Sequence, residues 1–284
     1  MKKFITRAGL MLASATVFLT SCQTETISDS LAPISKDFQF GTTEMAYPNQ
    51  VGLSKSFTIG GEDIAYQEVN GENIFGGDII LSPSQMEDQK MTDGTYRTAT
   101  SARWTGKKVY YTIDAGLANQ ARVTDAIAHW EANTSLDFVL RTNQSSYITF
   151  RTGTGCSSSV GRVGGQQFIN LATGCSTGNN IHEIGHAIGL WHEQTRKDRD
   201  TYVTINFGNI QAGYSNNFQT YVAQGADGNE TSGGLDFGSI MMYGSTAFSS
   251  NGSPTIVKKD GSTFTVQRTA LSTKDKAAVT IMYP

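Results

Sequence analysis

The stretch His182-Glu183-Ile184-Gly185-His186-Ala187-Ile188-Gly189-Leu190-Trp191-His192 decides the fold of this chain. Three of the four histidines in the sequence fall within these eleven residues. On a helix, His182 and His186 share one face, so both imidazoles can bind one Zn²⁺ while Glu183 lies beside them. This spacing is typical of a metalloprotease site.

The third histidine requires the helix to stop. If the helix continued, His192 would lie about 15 Å along the axis from His182 and could not reach the same ion. Gly189 is placed to end the helix, because glycine readily adopts the left-handed conformation that turns a chain back. The alternative, three histidines that only satisfy hydrogen bonds in a core, explains neither the spacing nor the glycine. His129 stands alone and is interpreted as a surface or packing residue.

The first 22 residues have the pattern of a targeting segment, with basic residues followed by an apolar run from Ala8 to Thr20. The end of the run, Leu19-Thr20-Ser21-Cys22, resembles a bacterial lipobox, in which Cys22 becomes a lipid-bearing N-terminus. An ordinary cleavage site at Ala13-Ser14-Ala15 would leave too short an apolar region. We therefore expect an exported protein, either an outer-membrane or cell-surface lipoprotein precursor or a secreted one, with transient membrane anchoring through lipid on Cys22.

Charge divides the rest of the chain. Residues 23–97 carry twelve acidic and four basic side chains, whereas residues 98–284 carry 13 acidic and 15 basic ones. An acidic segment ahead of a slightly basic domain indicates a pro-region lying over a catalytic body, although a solubilising linker would look the same. The net charge of −3 disfavours nucleic acid as a partner. The expected domains are a signal peptide at 1–22, a pro-region at 23–97 and a catalytic domain at 98–284.

Only two cysteines remain after Cys22, namely Cys156 and Cys175. Export implies an oxidising compartment, so we expect these two to form a disulfide. Two buried free thiols are the alternative.

Hydrophobic patterning predicts an α+β fold. A helix is expected from about Asn119 to Asn133, with Ala121, Ile127 and Trp130 among its apolar positions, and another from about Asn179 to Leu190. The chain beyond is loop-rich until a last helix near Ser272 to Met282, with Ser272 as its N-cap. Strands are expected at Lys108 to Ile113, Leu136 to Arg141 and Tyr147 to Thr152, with a short apolar run at Phe168 to Leu171.

Beyond these patterns, the chain resembles the astacin-like zinc endopeptidases among the metzincins, from about Trp104 to Tyr283. The continuation HEQTRKDRDTYV at 192–203 is similar to the astacin pattern HEQSRxDRDxYV, and Ser239-Ile240-Met241-Met242-Tyr243 is similar to the Met-turn SxMHY. Cys156 with Cys175 matches a family disulfide. The chain departs from the family at Met242, where histidine is usual, and in lacking the cysteines of a second disulfide.

The resemblance implies a two-lobed catalytic domain, with an N-terminal twisted sheet, an active-site helix and a loop-rich C-terminal lobe. It implies a monomeric endopeptidase that binds one Zn²⁺ per chain and hydrolyses protein or peptide substrates. Glu183 is expected to be the general base, Tyr243 to stabilise the oxyanion, and Met241 to form an apolar floor. The stretch Gly153 to Gly161 corresponds to the family's edge strand, where an extended substrate would pair.

Two further features bear on latency. Phe75-Gly76-Gly77-Asp78-Ile79 resembles the astacin pro-segment motif FxGD, which makes Asp78 the expected zymogen zinc ligand. Cys22 is the alternative, because a thiolate is a strong zinc ligand. The resemblance also implies that pro-peptide removal, by a cut between Met86 and Thr98, creates an N-terminus that contacts Glu193. An exposed Glu193 on a loop is the other interpretation.

Two other functional classes remain open from the sequence. A zinc-binding adhesin without catalysis would need no general base, yet Glu183 is present. A metzincin of another subfamily, such as a matrixin or a serralysin, is disfavoured by the run from Glu193 to Asp200.

Overall fold

A computed structural model describes residues 43–59, 62–87, 102–224 and 228–284. The expected signal peptide, Cys22, and the domain boundary at residues 97 and 98 lie outside the described residues. Within the described ranges, none of the helices is both long and apolar enough to span a membrane. We call the described residues between 43 and 87 the N-terminal segment.

Nine strands of the described residues form one sheet, in the order β1-β2-β3-β4-β8-β9-β7-β5-β6, and two more form a small antiparallel pair, β10-β11. Their bounds are β1 Leu53–Ile59, β2 Glu62–Val69, β3 Glu72–Phe75, β4 Ile79–Leu81, β5 Lys108–Ile113, β6 Asp137–Leu140, β7 Tyr147–Thr152, β8 Cys156–Ser158, β9 Gln166–Leu171, β10 Val203–Ile205 and β11 Ile256–Lys258. The strands predicted at β5, β6 and β7 are confirmed within one residue, and the short apolar run from Phe168 to Leu171 lies in β9.

The N-terminal segment adds strands to the sheet that the sequence patterns did not predict. Strands β1 to β4 form an antiparallel meander, and β4 then pairs in parallel with β8, with Ile79 opposite Ser158. Among the strands from β5 onward, β8 lies at one edge, which agrees with the edge strand expected within Gly153 to Gly161. The stretch does hold β8, but β4 covers its outer side.

The described helices are α1 Pro83–Glu87, α2 Ala121–Asn133, α3 Thr177–Ile188 and α4 Thr273–Met282, with short 3₁₀ turns between β10 and β11 and elsewhere. Helix α2 begins two residues later than predicted, because Asn119 has a positive φ of 52°. Ala121 is exposed, whereas Ile127 and Trp130 are buried as predicted. Ser272 caps α4 through its hydroxyl, as expected.

Two apolar cores divide the described residues from 102 to 284, which we call the catalytic part, into lobes. The first lies between the sheet and α2, α3 and α4, and includes Trp130, Phe150 and Ile184. The second lies in the loop-rich region after α3, and includes Phe218 and Tyr243. The α+β, two-lobed architecture is thus confirmed.

Local sequence sets both ends of α3, the helix that carries the first two histidines. At its start, Ser176 and Asn179 form a capping box, in which each side chain accepts the other's backbone N–H. At its end, Gly189 adopts φ 115°, and its N–H donates to the carbonyls of Gly185 and His186. The chain therefore turns back after α3, as the sequence predicts.

Candidate active site

The turn at Gly189 brings the three histidines of the motif together. His182 and His186 extend from α3, and His192 reaches them from the residues after the turn, with its Nε2 3.3 Å from Nε2 of His186. All three side chains are buried. One potential ligand atom from each, and one from Asp78, lie within 4.8 Å of one another. The structure thus assembles the predicted ligand set at one point.

Backbone carbonyls fix two of the imidazole rings. His182 donates from Nδ1 to the carbonyl of Ile240, and His186 from Nδ1 to that of Leu190, both at 2.8 Å. A carbonyl can only accept, so the proton is on Nδ1 and the lone pair of Nε2 faces the centre. Burial lowers the pKa of His192 to about 4, so the ring of His192 is neutral at neutral pH. Neutral imidazoles are the form that binds metal.

Asp78 supplies a carboxylate to the same centre. Its Oδ2 lies 3.3 Å from Nε2 of His182 and 3.2 Å from Nε2 of His192, and its Oδ1 lies 3.6 Å from Nε2 of His186. Burial alone would raise the pKa of Asp78, but His192 and His186 hold it well below its ordinary value. Three imidazoles and a carboxylate are a donor set that suits Zn²⁺.

Two glycines let the backbone before Asp78 pass close to the site. Gly77 has φ 90°, and a Cβ at this position would lie only 2.8 Å from Cζ of Phe248. The hydroxyl of Tyr243 donates to the carbonyl of Gly76. Residue 77 must therefore be glycine for both conformational and steric reasons.

Glu183 is fully buried beside His182. Among the described residues, neither of its carboxylate oxygens has a hydrogen-bond partner. Burial, together with the negative charges of Asp78 and Glu44, raises its pKa well above the ordinary value. Such an unpartnered buried carboxylate is costly and is typical of a functional group rather than a structural one.

A second acidic residue of the N-terminal segment, Glu44, also reaches the site, and the sequence patterns gave no signal for it. Arg268 donates to its Oε1 at 2.7 Å and to its Oε2 at 2.9 Å, and Asn179 of α3 donates to Oε1 at 2.7 Å. Its Oε2 lies 3.9 Å from Nε2 of His182. Glu44 has no accessible surface.

The segment expected to form a Met-turn underlies the histidines. Met241 packs against α3 so closely that a Cβ on Gly185 would lie 2.7 Å from its Sδ. Met242, which stands where the family usually has histidine, is buried in the second core. Met241 is therefore buried against the helix of the first two histidines, where the resemblance places an apolar floor.

Glu193 is buried, so the interpretation as an exposed loop residue is wrong. One of its oxygens accepts the backbone N–H of Asp236 at 2.8 Å and lies 3.6 Å from Nη1 of Arg196. Burial raises the pKa of Glu193 to about 8. A small cavity beside it, with room for about one water molecule, is lined also by Ser239 and Asp275.

The two remaining predictions concern residues away from the centre. Cys156 and Cys175 are joined by a disulfide, so the alternative of free thiols is wrong. The bond links β8 to the residues just before α3. His129 is half-buried, and its Nε2 accepts the backbone N–H of Leu271 at 3.1 Å, which agrees with a packing role.

Two buried histidines and a buried glutamate on a helix that ends in a left-handed glycine, with a third buried histidine just after it, are the arrangement typical of the metzincin class of metallopeptidases. The chain belongs to the astacin family within that class. The family model described as Astacin, a peptidase family, matches residues 96–284, which is the part from just before β5 to the last residue.

Known proteins similar to the chain agree with this assignment. Blastula protease 10 of Paracentrotus lividus is 39% identical over 232 residues, which cover 74% of this chain and 38% of that protein. Zinc metalloproteinase nas-13 of Caenorhabditis elegans is 37% identical over 227 residues, which cover 78% of this chain and 49% of that protein. The chain thus spans less than half the length of these curated relatives.

A solved structure supports the same fold. It is that of high choriolytic enzyme 1, a hatching enzyme zinc-protease from Oryzias latipes, with a TM-score of 0.60 and 33% sequence identity. The match covers 65% of this chain and 96% of that one.

Proposed function

We propose that the chain is a zinc-dependent endopeptidase that is made as a latent precursor and acts on protein or peptide substrates. The observation that carries this proposal is the position of Asp78. A carboxylate from the N-terminal segment lies among three histidines that the catalytic part presents for a metal. An inhibitory segment that supplies a ligand to the metal would have this geometry.

His182, His186 and His192 would hold one Zn²⁺, with Asp78 as the additional ligand in the precursor. When bound, Zn²⁺ supplies Lewis acidity, which lowers the pKa of water and polarises a peptide carbonyl. Removal of Asp78 with the rest of the pro-region would open one position for substrate.

Glu183 is the residue proposed to move the proton. Its unpartnered carboxylate would accept the proton of the attacking water and deliver it to the leaving amine. Tyr243 would donate a hydrogen bond to the carbonyl oxygen of the scissile bond. Its hydroxyl already donates to a peptide carbonyl, that of Gly76, in the precursor, and burial raises its pKa well above the ordinary value, so it stays protonated.

The pro-region proposal rests on β4 as well as on Asp78. Because β4 pairs with β8, it covers the strand on which an extended substrate would pair. We accordingly propose a signal peptide at 1–22, a pro-region at 23–97 and a monomeric catalytic domain at 98–284. Export as a lipoprotein through Cys22 is part of the proposal and rests on the lipobox-like sequence alone.

A protease assay tests the proposal. The chain, before and after controlled removal of residues 1–97, is incubated with casein or gelatin, with and without a zinc chelator. We expect activity only in the processed form, loss with chelator and recovery with added Zn²⁺. Processed protein that binds zinc but cleaves neither substrate would favour the inactive adhesin, and activity that resists the chelator would overturn the zinc mechanism.

A further inference from the structure

The carboxylate of Glu44 is buried and accepts hydrogen bonds from two neighbouring side chains. Arg268 contacts both of its carboxylate oxygens, and its own side chain is only 5% exposed. Asn179 donates a third hydrogen bond to the same carboxylate. Charge-assisted hydrogen bonds of this kind are the strong ones in proteins.

The groups that contact Glu44 are held in place by the catalytic part itself. Arg268 also donates to the carbonyls of Met242 and Gln267, so its position does not depend on Glu44 alone. Asn179 is fixed by the capping box of α3, where its Oδ1 accepts the backbone N–H of Ser176 at 2.8 Å. The positions of both donors are therefore supported by contacts other than those with Glu44.

From this arrangement we propose that Arg268 and Asn179 form a carboxylate-binding pocket next to the metal centre, and that Glu44 is its ligand in the precursor. The N-terminal segment would then close the site at two points, with Asp78 among the histidines and Glu44 in the pocket. This inference rests on the proposed function, since it describes how the proposed pro-region is held.

The two points of closure are linked through the backbone. Ala46, two residues after Glu44, donates its N–H to the carbonyl of Gly77 at 2.9 Å. Between them, the carbonyl of Met45 accepts the N–H of Cys156 in β8 at 3.0 Å. The residues next to Glu44 thus contact the turn that presents Asp78, so we expect release of Glu44 to loosen Asp78 as well.

Loss of the Glu44 charge should weaken closure strongly, because it leaves the buried Arg268 facing a neutral group. A peripheral ion pair offers a matched comparison. Glu72 of the N-terminal segment lies 3.5 Å from Arg151 of the catalytic part, and both side chains are about one-third exposed. Exposed pairs of this kind contribute little to stability.

The experiment compares zinc-loaded full-length precursors of the wild type, Glu44→Gln and Glu72→Gln. The rate of zinc transfer to a chromogenic chelator measures access to the metal, and limited proteolysis measures release of the N-terminal segment. We expect both rates to rise at least tenfold in Glu44→Gln and to change less than twofold in Glu72→Gln. Equal rates in Glu44→Gln and the wild type would overturn the proposal, as would an equal rise in the control.

Two additional variants keep the test decisive if Glu44→Gln folds poorly. Glu44→Asp keeps the charge on a shorter side chain and should give an intermediate rate. The double variant Glu44→Gln with Arg268→Gln removes both charges. Its zinc transfer should therefore be slower than that of Glu44→Gln, although faster than that of the wild type. A double variant with rates equal to or faster than the single one would contradict a pocket built for charge.

Failure of this inference and failure of the proposed function give different results. Zinc transfer and limited proteolysis of the precursor do not depend on catalysis. If the processed wild type cleaves casein and Glu44→Gln precursor behaves as the wild type, only the pocket is excluded. If processed wild type cleaves nothing while Glu44→Gln accelerates zinc transfer, the pocket stands and the protease proposal fails.

Discussion

The imidazole of His182 and the carbonyl of Ile240 are joined by a hydrogen bond of 2.8 Å, which links α3 to the Met-turn segment. That segment is in turn fixed by Asp275 of α4, which accepts the N–H of Ile240 at 2.9 Å and the hydroxyl of Ser239 at 2.6 Å. The orientation of the first histidine thus depends on the last helix of the chain. Such outer contacts set the tautomer and direction of a metal ligand.

The first prediction separates metal binding from proton transfer. Glu183→Gln keeps all three histidines and the shape of the side chain but removes the base. We expect the processed variant to retain one zinc per chain and to lose at least a hundredfold in kcat, which is within the usual contribution of general-base catalysis. Zinc content and casein hydrolysis measure the two effects. Activity within tenfold of the wild type would exclude Glu183 as the base.

A second prediction concerns the ligand that maintains latency. Because Asp78 lies within 3.6 Å of all three imidazoles, the Asp78→Ala precursor should be more active before cleavage than the wild-type precursor, although β4 and Glu44 still close part of the site. The Cys22→Ser precursor should remain latent. Hydrolysis of a peptide by each unprocessed precursor distinguishes the two residues. Premature activity in Cys22→Ser alone would assign the role to the cysteine.

The glycine before Asp78 leads to a third prediction. In Gly77→Ala the new methyl group would lie 2.8 Å from Cζ of Phe248, at a φ of 90° that alanine adopts poorly. The turn should shift, and the precursor should show measurable activity without processing. Gly71→Ala is the matched control, because Gly71 also has a positive φ, of 82°, but has open space around it. Similar activity of both variants without processing would indicate general strain rather than displacement of Asp78.

The disulfide gives a fourth prediction. Cys156 and Cys175 are 19 residues apart, and closing a loop of about 20 residues should contribute roughly 3 kcal/mol to the free energy of unfolding by the chain-entropy estimate. Urea unfolding of the Cys156→Ser, Cys175→Ser double variant measures this loss. Wild type in reductant is the control and should lose a similar amount. Mass spectrometry that found two free thiols in a non-reduced digest would contradict the bond itself.

The metal-binding half of the site could be predicted from the sequence because it is local. His182 and His186 are separated by one helical turn. Gly189 ends that helix because glycine readily adopts the left-handed conformation found there. The strands at Lys108 to Ile113 and Tyr147 to Thr152 were predictable for the same reason, since alternation is a property of neighbouring residues.

Glu44 could not be found in this way, because its partner Arg268 is 224 residues further along the chain. In sequence it is one of many acids in an acidic segment, and acidic residues are mostly exposed. The strands β1 to β4 were missed for a related reason. In β1, the side chains described, from Leu53 to Thr58, are all exposed or half-buried, so no buried apolar face marks it as a strand.

The last prediction concerns the activation cut and the residue after the third histidine. Glu193 is buried in this structure, and burial raises its pKa to about 8. A new α-amino group nearby would be a cation able to compensate this acid, and the small cavity beside Glu193 has room for a bridging water. We therefore expect activation to create an N-terminus that reaches Glu193.

The cut should fall between Met86 and Thr98, after the Asp78 motif and before Trp104, which is already buried in the first core. Lys90 and Arg97 are the basic residues in this interval, so a trypsin-like or self-catalysed cut would generate the active form. N-terminal sequencing of that form locates the cut. A second experiment tests the contact: Glu193→Gln should lower the thermal stability of the processed form more than that of the precursor, because only the processed form gains the contact with the new N-terminus. A start before Asp78 or after Trp104 would overturn both the boundary and the contact, and equal losses in the two forms would overturn the contact alone.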